Sequence, residues 1–171
     1  MVKVLLLISQ RNFNETEFLV TKKGLEEKKI QVTVASINTD DAVGMEGMRI
    51  RPDKSLRQTN QNEYDAFVII GGSGSPRLLD YPEVIEWVRR FDRQNKLIAA
   101  ICLAPMILAK AGILKGVMST VFPADFAVGV LKQEGATYFQ KHVIEDDNII
   151  TADGPDSTKE FVYKILKKFN L

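Results

Sequence analysis

The stretch Leu97-Ile98-Ala99-Ala100-Ile101-Cys102-Leu103-Ala104-Pro105 decides the fold, and it carries the only cysteine of the 171-residue chain. From Leu97 to Ile101 every residue is apolar, as in a strand buried on both faces. From Ala104 through Met106, Ile107, Leu108, Ala109, Lys110 and Ala111 the residues read as a helix, with Cys102 at the turn between strand and helix. A strand that passes directly into a helix ends against free N–H groups and the positive end of the helix dipole, a setting that favours a thiolate. The elbow also needs small residues two places to either side, and Ala100 and Ala104 supply them where the serine version uses glycines. The competing reading of Cys102 is a small buried hydrophobe, a common use of free cysteine.

Working outward, the same strand-then-helix alternation recurs. Met1 to Ser9 reads as a first buried strand, since its apolar run is short and no small-residue cleavage site comes after it. Asn14 caps a helix over Glu15 to about Lys28 with Phe18 and Leu25 on its inner face, and Glu17 fits the N3 position of a capping box. Ile30 to Ser36 is a second strand, closing a β-α-β unit with a right-handed crossover. Asn38 to Asn62 is polar and irregular, with a small hairpin over Val43 to Arg51 and a turn at Pro52-Asp53. Ala66 to Ile70 is a third buried strand, ending in the glycine-rich turn Gly71-Gly72-Ser73-Gly74.

Pro82 opens a helix with Val84, Trp87, Val88 and Phe91 at helical spacing, and Gly112 ends the helix after Cys102. Val117 to Phe122 reads as a strand and Pro123 to Lys132 as a short helix. Ala136 to Glu145 and Asn148 to Ala152 read as strands joined by a turn at Asp146-Asp147-Asn148. The last helix is capped by Ser157 with Glu160 at N3, and Phe161, Ile165, Leu166 and Phe169 line its inner face. The alternation predicts an α/β fold: one domain with a doubly wound, mostly parallel sheet flanked by helices on both faces.

Composition narrows the function classes. Hydrophobic residues make up 45% and charged residues 26%, the mix of an ordinary globular domain, and a net charge of +1 without a basic run argues against nucleic acid as partner. No apolar run approaches the roughly 18 residues of a membrane span. One cysteine makes no internal disulfide and no zinc-ligand spacing is present, so a reducing, cytoplasmic setting without metal is expected.

In an open α/β sheet the binding crevice lies outside the carboxyl ends of the parallel strands. The segments at those ends are Gln10 to Glu17, the Gly71-Gly72 turn, Cys102, Phe122-Pro123 and Asp153-Gly154-Pro155. Three of these are chemically complementary. Cys102 is a nucleophile, the backbone N–H groups of Gly72 and Leu103 can form an oxyanion hole, and Glu17 can hydrogen-bond the sulfur. The plainer reading of Glu17 is a cap reaching back to the N–H of Asn14.

These features together resemble the ThiJ/PfpI family, also called the DJ-one superfamily. The resemblance rests on Ala99-Ala100-Ile101-Cys102, on the helix Ala104 to Ala111 with Gly112-Ile113-Leu114-Lys115-Gly116 after it, and on Gly71-Gly72, Glu17 and Asp153-Gly154-Pro155. It covers nearly the whole chain. It implies a flavodoxin-like single domain over residues 1–171, with the architecture of class I glutamine amidotransferases, and a homodimer. It also implies that Cys102 is the elbow cysteine, that a protonated Glu17 donates to its sulfur, that Gly72 and Leu103 lend backbone donors, and that no cofactor is held. Glu15 is the neighbouring alternative to Glu17.

Two positions depart from the family pattern. Hydrolase-type members carry a histidine just after the cysteine, where this chain has Leu103. Relatives with a glyoxalase-like site carry one just before a proline, where this chain has Phe122. The one histidine, His142, reads as a structural or surface residue in mid-strand, away from the strand ends. The expected function is action of Cys102 on small electrophilic carbonyl or acyl compounds in a stress response, glyoxalase- or deglycase-like or cysteine hydrolase-like. The alternative is a non-catalytic, redox-responsive or chaperone-like stress protein whose cysteine is oxidised. A nucleotide or flavin site at Gly71 to Ser75 is disfavoured, because neither G-x-G-x-x-G nor G-K-[ST] is present.

Overall fold

The computed structural model describes residues 1–171. In chain order its first half contains β1 (Lys3–Leu7), β2 (Arg11–Phe13), α1 (Glu15–Glu26), β3 (Gln31–Ser36), β4 (Ala42–Gly44), β5 (Arg49–Ile50), β6 (Lys54–Ser55) and β7 (Ala66–Ile69). The second half contains α2 (Pro82–Arg93), β8 (Leu97–Ile101), α3 (Pro105–Lys110), β9 (Met118–Ser119), α4 (Asp125–Gln133), β10 (Thr137–Tyr138), β11 (Val143–Asp146), β12 (Ile149–Ala152) and α5 (Thr158–Lys168).

Seven strands form the main sheet in the order β11-β12-β8-β7-β1-β3-β6. All neighbours pair in parallel except β11, which returns antiparallel against β12. The central strands β7 and β8 are buried at every residue, which is why they read as continuous apolar runs rather than as alternations. Helix α1 packs with α5, and α2, α3 and α4 pack in succession, giving a helical layer on each face. The fold is therefore the doubly wound α/β sheet that the alternation predicts.

The order of strands sets the position of the crevice. From β1 the chain steps outward to β3 and β6, then returns to β7 on the other side of β1. The segments after β1 and β7 consequently leave in opposite directions, and the gap between them is a topological switch point. Cys102 comes at the end of β8, the next strand over. A hollow of about 380 Å3 among Asp65, Lys96, Asp147 and Lys168 lies at the opposite, amino-terminal end of the sheet.

Several local expectations are corrected. Val117 to Phe122 contributes only the two residues of β9, which pair in parallel with β10 in a separate small sheet. Ala136 to Glu145 is broken into β10 and β11, because the chain must leave the β9 ribbon to reach the edge of the main sheet. Ser157 does not cap α5 with its side chain; its hydroxyl donates to Asp153 Oδ1 instead. The hairpin expected at Val43 to Arg51 is present as β4 and β5, and β2 extends it to three strands. Trp87 is core, packed with Phe67 and Phe91.

Candidate functional site

Cys102 is the last point at which β8 remains tied to the sheet: its N–H donates to Ala152 O at 2.9 Å, and its carbonyl accepts from Phe122 N–H at 2.8 Å. Held on both sides, it adopts φ +63°, the left-handed region. A side chain there costs about 1 kcal/mol or more, and the sheet and helix together maintain it. The turn is thus the strained elbow inferred from Ala100 and Ala104, both fully buried.

The glycine turn after β7 lies against this elbow. A Cβ on Gly71 would stand 2.5 Å from Cys102 Cβ and 2.8 Å from Glu17 Oε2, so only glycine admits the approach. Gly72 has φ +110° and sits on the backbone of Asn12 to Asn14, and a Cβ on Gly74 would come closer still, onto Arg11 O. The turn is clasped to α1 by Asn14 N–H donating to Gly71 O at 3.0 Å and Gly71 N–H donating to Glu17 Oε2 at 2.8 Å. Asn14 does cap α1, its side chain accepting from Glu17 N–H at 3.0 Å. The reciprocal half of the capping box is not made, because the Glu17 carboxylate is spent on the site.

Glu17 is fully buried and Cys102 is 7% exposed. Of the two carboxyl oxygens, Oε1 has no hydrogen-bond partner, while the carboxyl as a whole contacts the Cys102 side chain. Burial raises the Glu17 carboxyl to about 7, against the opposing pull of the Gly71 N–H and of the contact with Cys102. The Cys102 thiol is pushed up to about 12, first by burial and then by the negative charge of Glu17, while the N–H groups of Gly72 and Leu103 draw it down. Neither of those two N–H groups has a backbone carbonyl partner. Burial and the charge of Glu17 thus oppose the pull toward a thiolate that the helix end was expected to exert. A thiol beside a charged carboxylate and one beside a protonated carboxyl are different groups, since protonation removes the charge and turns Glu17 into a donor. The two titrate as one pair.

The structure brings Cys102, Glu17 and the N–H groups of Gly72 and Leu103 together, the four components nominated from strand ends. It resolves the choice between Glu15 and Glu17. Glu15 turns to the hairpin, where Oε2 accepts from Glu46 N–H at 2.7 Å and from Met48 N–H at 3.4 Å. His142 is placed differently from the expectation of mid-strand. It precedes β11, its carbonyl accepts from Asp153 N–H, and its exposed ring meets Asp153 Oδ2 through Nδ1 at 3.1 Å. It thereby borders a cavity of about 170 Å3 with Phe122, Asp153, Gly154 and Pro155. Antiparallel return of β11 brings it to the carboxyl end of β12, a pairing that sequence spacing does not reveal.

Residues 2–168 match the model of the DJ-1/PfpI family. The chain belongs to this family. It is 40% identical over 166 residues to an uncharacterized protein of Methanocaldococcus jannaschii, covering 96% of this chain and 81% of that one. It is 28% identical to a glutathione-independent glyoxalase of Caenorhabditis elegans, covering 95% of this chain and 86% of the relative. The crystal structure of a ThiJ/PfpI domain protein from Brachyspira murdochii superposes with a TM-score of 0.93 at 28% identity, covering 98% of this chain and 96% of that one. These likenesses bear out the flavodoxin-like fold.

Proposed function

We propose that Cys102 of this DJ-1/PfpI protein is a nucleophile toward small electrophilic carbonyl compounds, glyoxalase- or deglycase-like, with acyl compounds as the hydrolase-like variant of the same attack. The observation that carries this reading is the elbow itself: a strained cysteine whose sulfur faces two unpaired backbone N–H groups and a buried carboxyl. In the reactive form the single proton of the pair sits on Glu17, which donates to the thiolate. The sulfur lone pair forms a bond to the carbonyl carbon, and the carbonyl π pair moves onto oxygen. Gly72 and Leu103 N–H are the donors available to that oxygen. The similarity to a glyoxalase of Caenorhabditis elegans supports a 2-oxoaldehyde as the first compound to test. Action within a cytoplasmic stress response, as a homodimer, belongs to the same proposal.

Wild type is expected to consume methylglyoxal, and Cys102→Ser is expected not to. Equal inactivity of the two on methylglyoxal and on acyl esters would overturn the reading.

A second reading is favoured by the residues around the thiol: Leu103 and Phe122 are apolar, and His142 is engaged by Asp153, so Glu17 is the titratable side chain facing Cys102. Here peroxide oxidises the thiolate stepwise to a sulfinate, which the same donors hold, and the protein acts as a redox-responsive or chaperone-like module. Intact mass after mild peroxide should show two added oxygens in wild type and none in Cys102→Ser.

A further inference from the structure

Two segments are tied directly to the backbone of the elbow. Phe122 N–H donates to Cys102 O at 2.8 Å, and Cys102 N–H donates at 2.9 Å to the carbonyl of Ala152, the residue before Asp153-Gly154-Pro155. These two segments form the walls of the cavity of about 170 Å3, with Phe122 and Pro123 on one and Gly154 and Pro155 on the other. The walls approach closely, since a Cβ on Gly154 would lie 3.6 Å from Phe122 Cδ2. Phe122 is nevertheless 40% exposed, a large apolar ring left uncovered beside the elbow. The polar lining is largely engaged within the protein: Asp153 Oδ1 accepts from the Ser157 hydroxyl, Oδ2 meets His142 Nδ1, and Asp156 is exposed to solvent. The surface left for a ligand is therefore mainly the Phe122 ring, two prolines and a glycine. A cavity of roughly 150 Å3 with an apolar lining has room for one benzene ring. The opposite side of the elbow has no such room, because a Cβ on Gly71 would stand 2.5 Å from Cys102 Cβ.

We propose that this cavity is the subsite for the substituent of the carbonyl compound, that Phe122 determines specificity there, and that the compounds selected are 2-oxoaldehydes bearing an aryl group. This rests on the reading of Cys102 as a nucleophile toward such carbonyls. A compound bonded to the sulfur through its aldehyde carbon carries its substituent on the next carbon. The close approach of Gly71 excludes that substituent on one side, and the Phe122 and Gly154 walls receive it on the other. An aryl ring placed there packs against the Phe122 ring and leaves water, whereas a methyl group fills little of the space. Discrimination of this kind in an apolar pocket is about tenfold or more in kcat/KM.

The test compares kcat/KM for phenylglyoxal and for methylglyoxal in wild type, Phe122→Ala and Gly154→Ala, with consumption by Cys102→Ser subtracted from each. Phe122→Ala removes the ring from one wall. Gly154→Ala adds a methyl to the other, at a residue whose backbone is already extended, as a residue before proline prefers, so this variant should fold. Wild type should favour phenylglyoxal about tenfold, and each variant should lower the phenylglyoxal-to-methylglyoxal ratio about tenfold. Turnover of both compounds with a ratio that neither variant lowers would overturn the subsite and leave Cys102 as the nucleophile, since any preference is then the intrinsic reactivity of phenylglyoxal. Consumption of neither compound above the Cys102→Ser background would overturn the nucleophile reading for 2-oxoaldehydes, and the subsite with it.

Discussion

At the scale of single residues, the site is a contest between burial and hydrogen bonding over one proton. Cys102 and Glu17 are both taken out of water, and each favours its neutral form until the neighbour changes state. The raised Glu17 carboxyl has a consequence for stability with a definite sign. At low pH the native and unfolded chains both hold the proton. Between the ordinary carboxylate range and about 7, the native state keeps a proton that the unfolded chain has lost, so raising pH through this window removes stability, up to about 3 kcal/mol. Glu17→Gln cannot ionise and is expected to lose that slope. Urea unfolding at about pH 5 and about pH 8 checks it: wild type should be less stable at the higher pH by an amount the variant does not show. Cys102 and Glu17 were legible in the sequence as chemistry, through the elbow pattern and the position after a strand. What the Glu17 side chain does was not, because a capping box and a site acid share the same N3 position and only the clasp to Gly71 distinguishes them.

At the scale of elements, α1 does most to build the site, and its packing on α5 is unusually close at one point. A Cβ on Gly24 would stand 2.8 Å from Val162 Cγ1, and Val162 is buried and stiff about χ1. Gly24→Ala gains about 1 kcal/mol of helix propensity, yet overpacking costs about 1–3 kcal/mol, so the single change is expected to destabilise. In a Val162→Ala background the same change should become stabilising, and thermal unfolding of the four-member cycle reads the sign reversal directly. The inner faces of α1, α2 and α5 were readable from helical spacing, since Phe18, Leu25, Trp87, Phe91, Phe161 and Ile165 are all buried. Short strands were not: β9 and β10 hold two residues each, too few to carry a period, and their pairing partner decides that they exist.

At the scale of the whole molecule, the site is made by strand order. Glu17 enters after β1, Gly71 and Gly72 after β7, Cys102 after β8, and Ala152 at the end of β12 receives the cysteine N–H. The aromatic cluster of Phe67, Trp87 and Phe91 supports the face of the sheet covered by α2, and none of the three side chains is among the groups that act on Cys102 or Glu17. Phe91→Ala should therefore cost about 3–5 kcal/mol of stability by opening a cavity. Its rate of Cys102 alkylation, measured well below the unfolding midpoint, should equal that of wild type. A changed rate would mean that core packing reaches the elbow.

The sequence by itself determined the elements that depend on local chemistry: the buried strands, the amphipathic helices, the small-residue elbow at Cys102 and the alternation that makes the sheet doubly wound. Periodicity and turn residues act over a few positions, and a sequence displays them directly. Only the tertiary structure decided which of Glu15 and Glu17 meets the sulfur, that His142 reaches Asp153 at a strand end, and that burial raises the thiol where a helix end was expected to lower it. Those outcomes depend on distance between segments far apart in the chain and on exclusion of water, and neither exists until the strands are placed side by side.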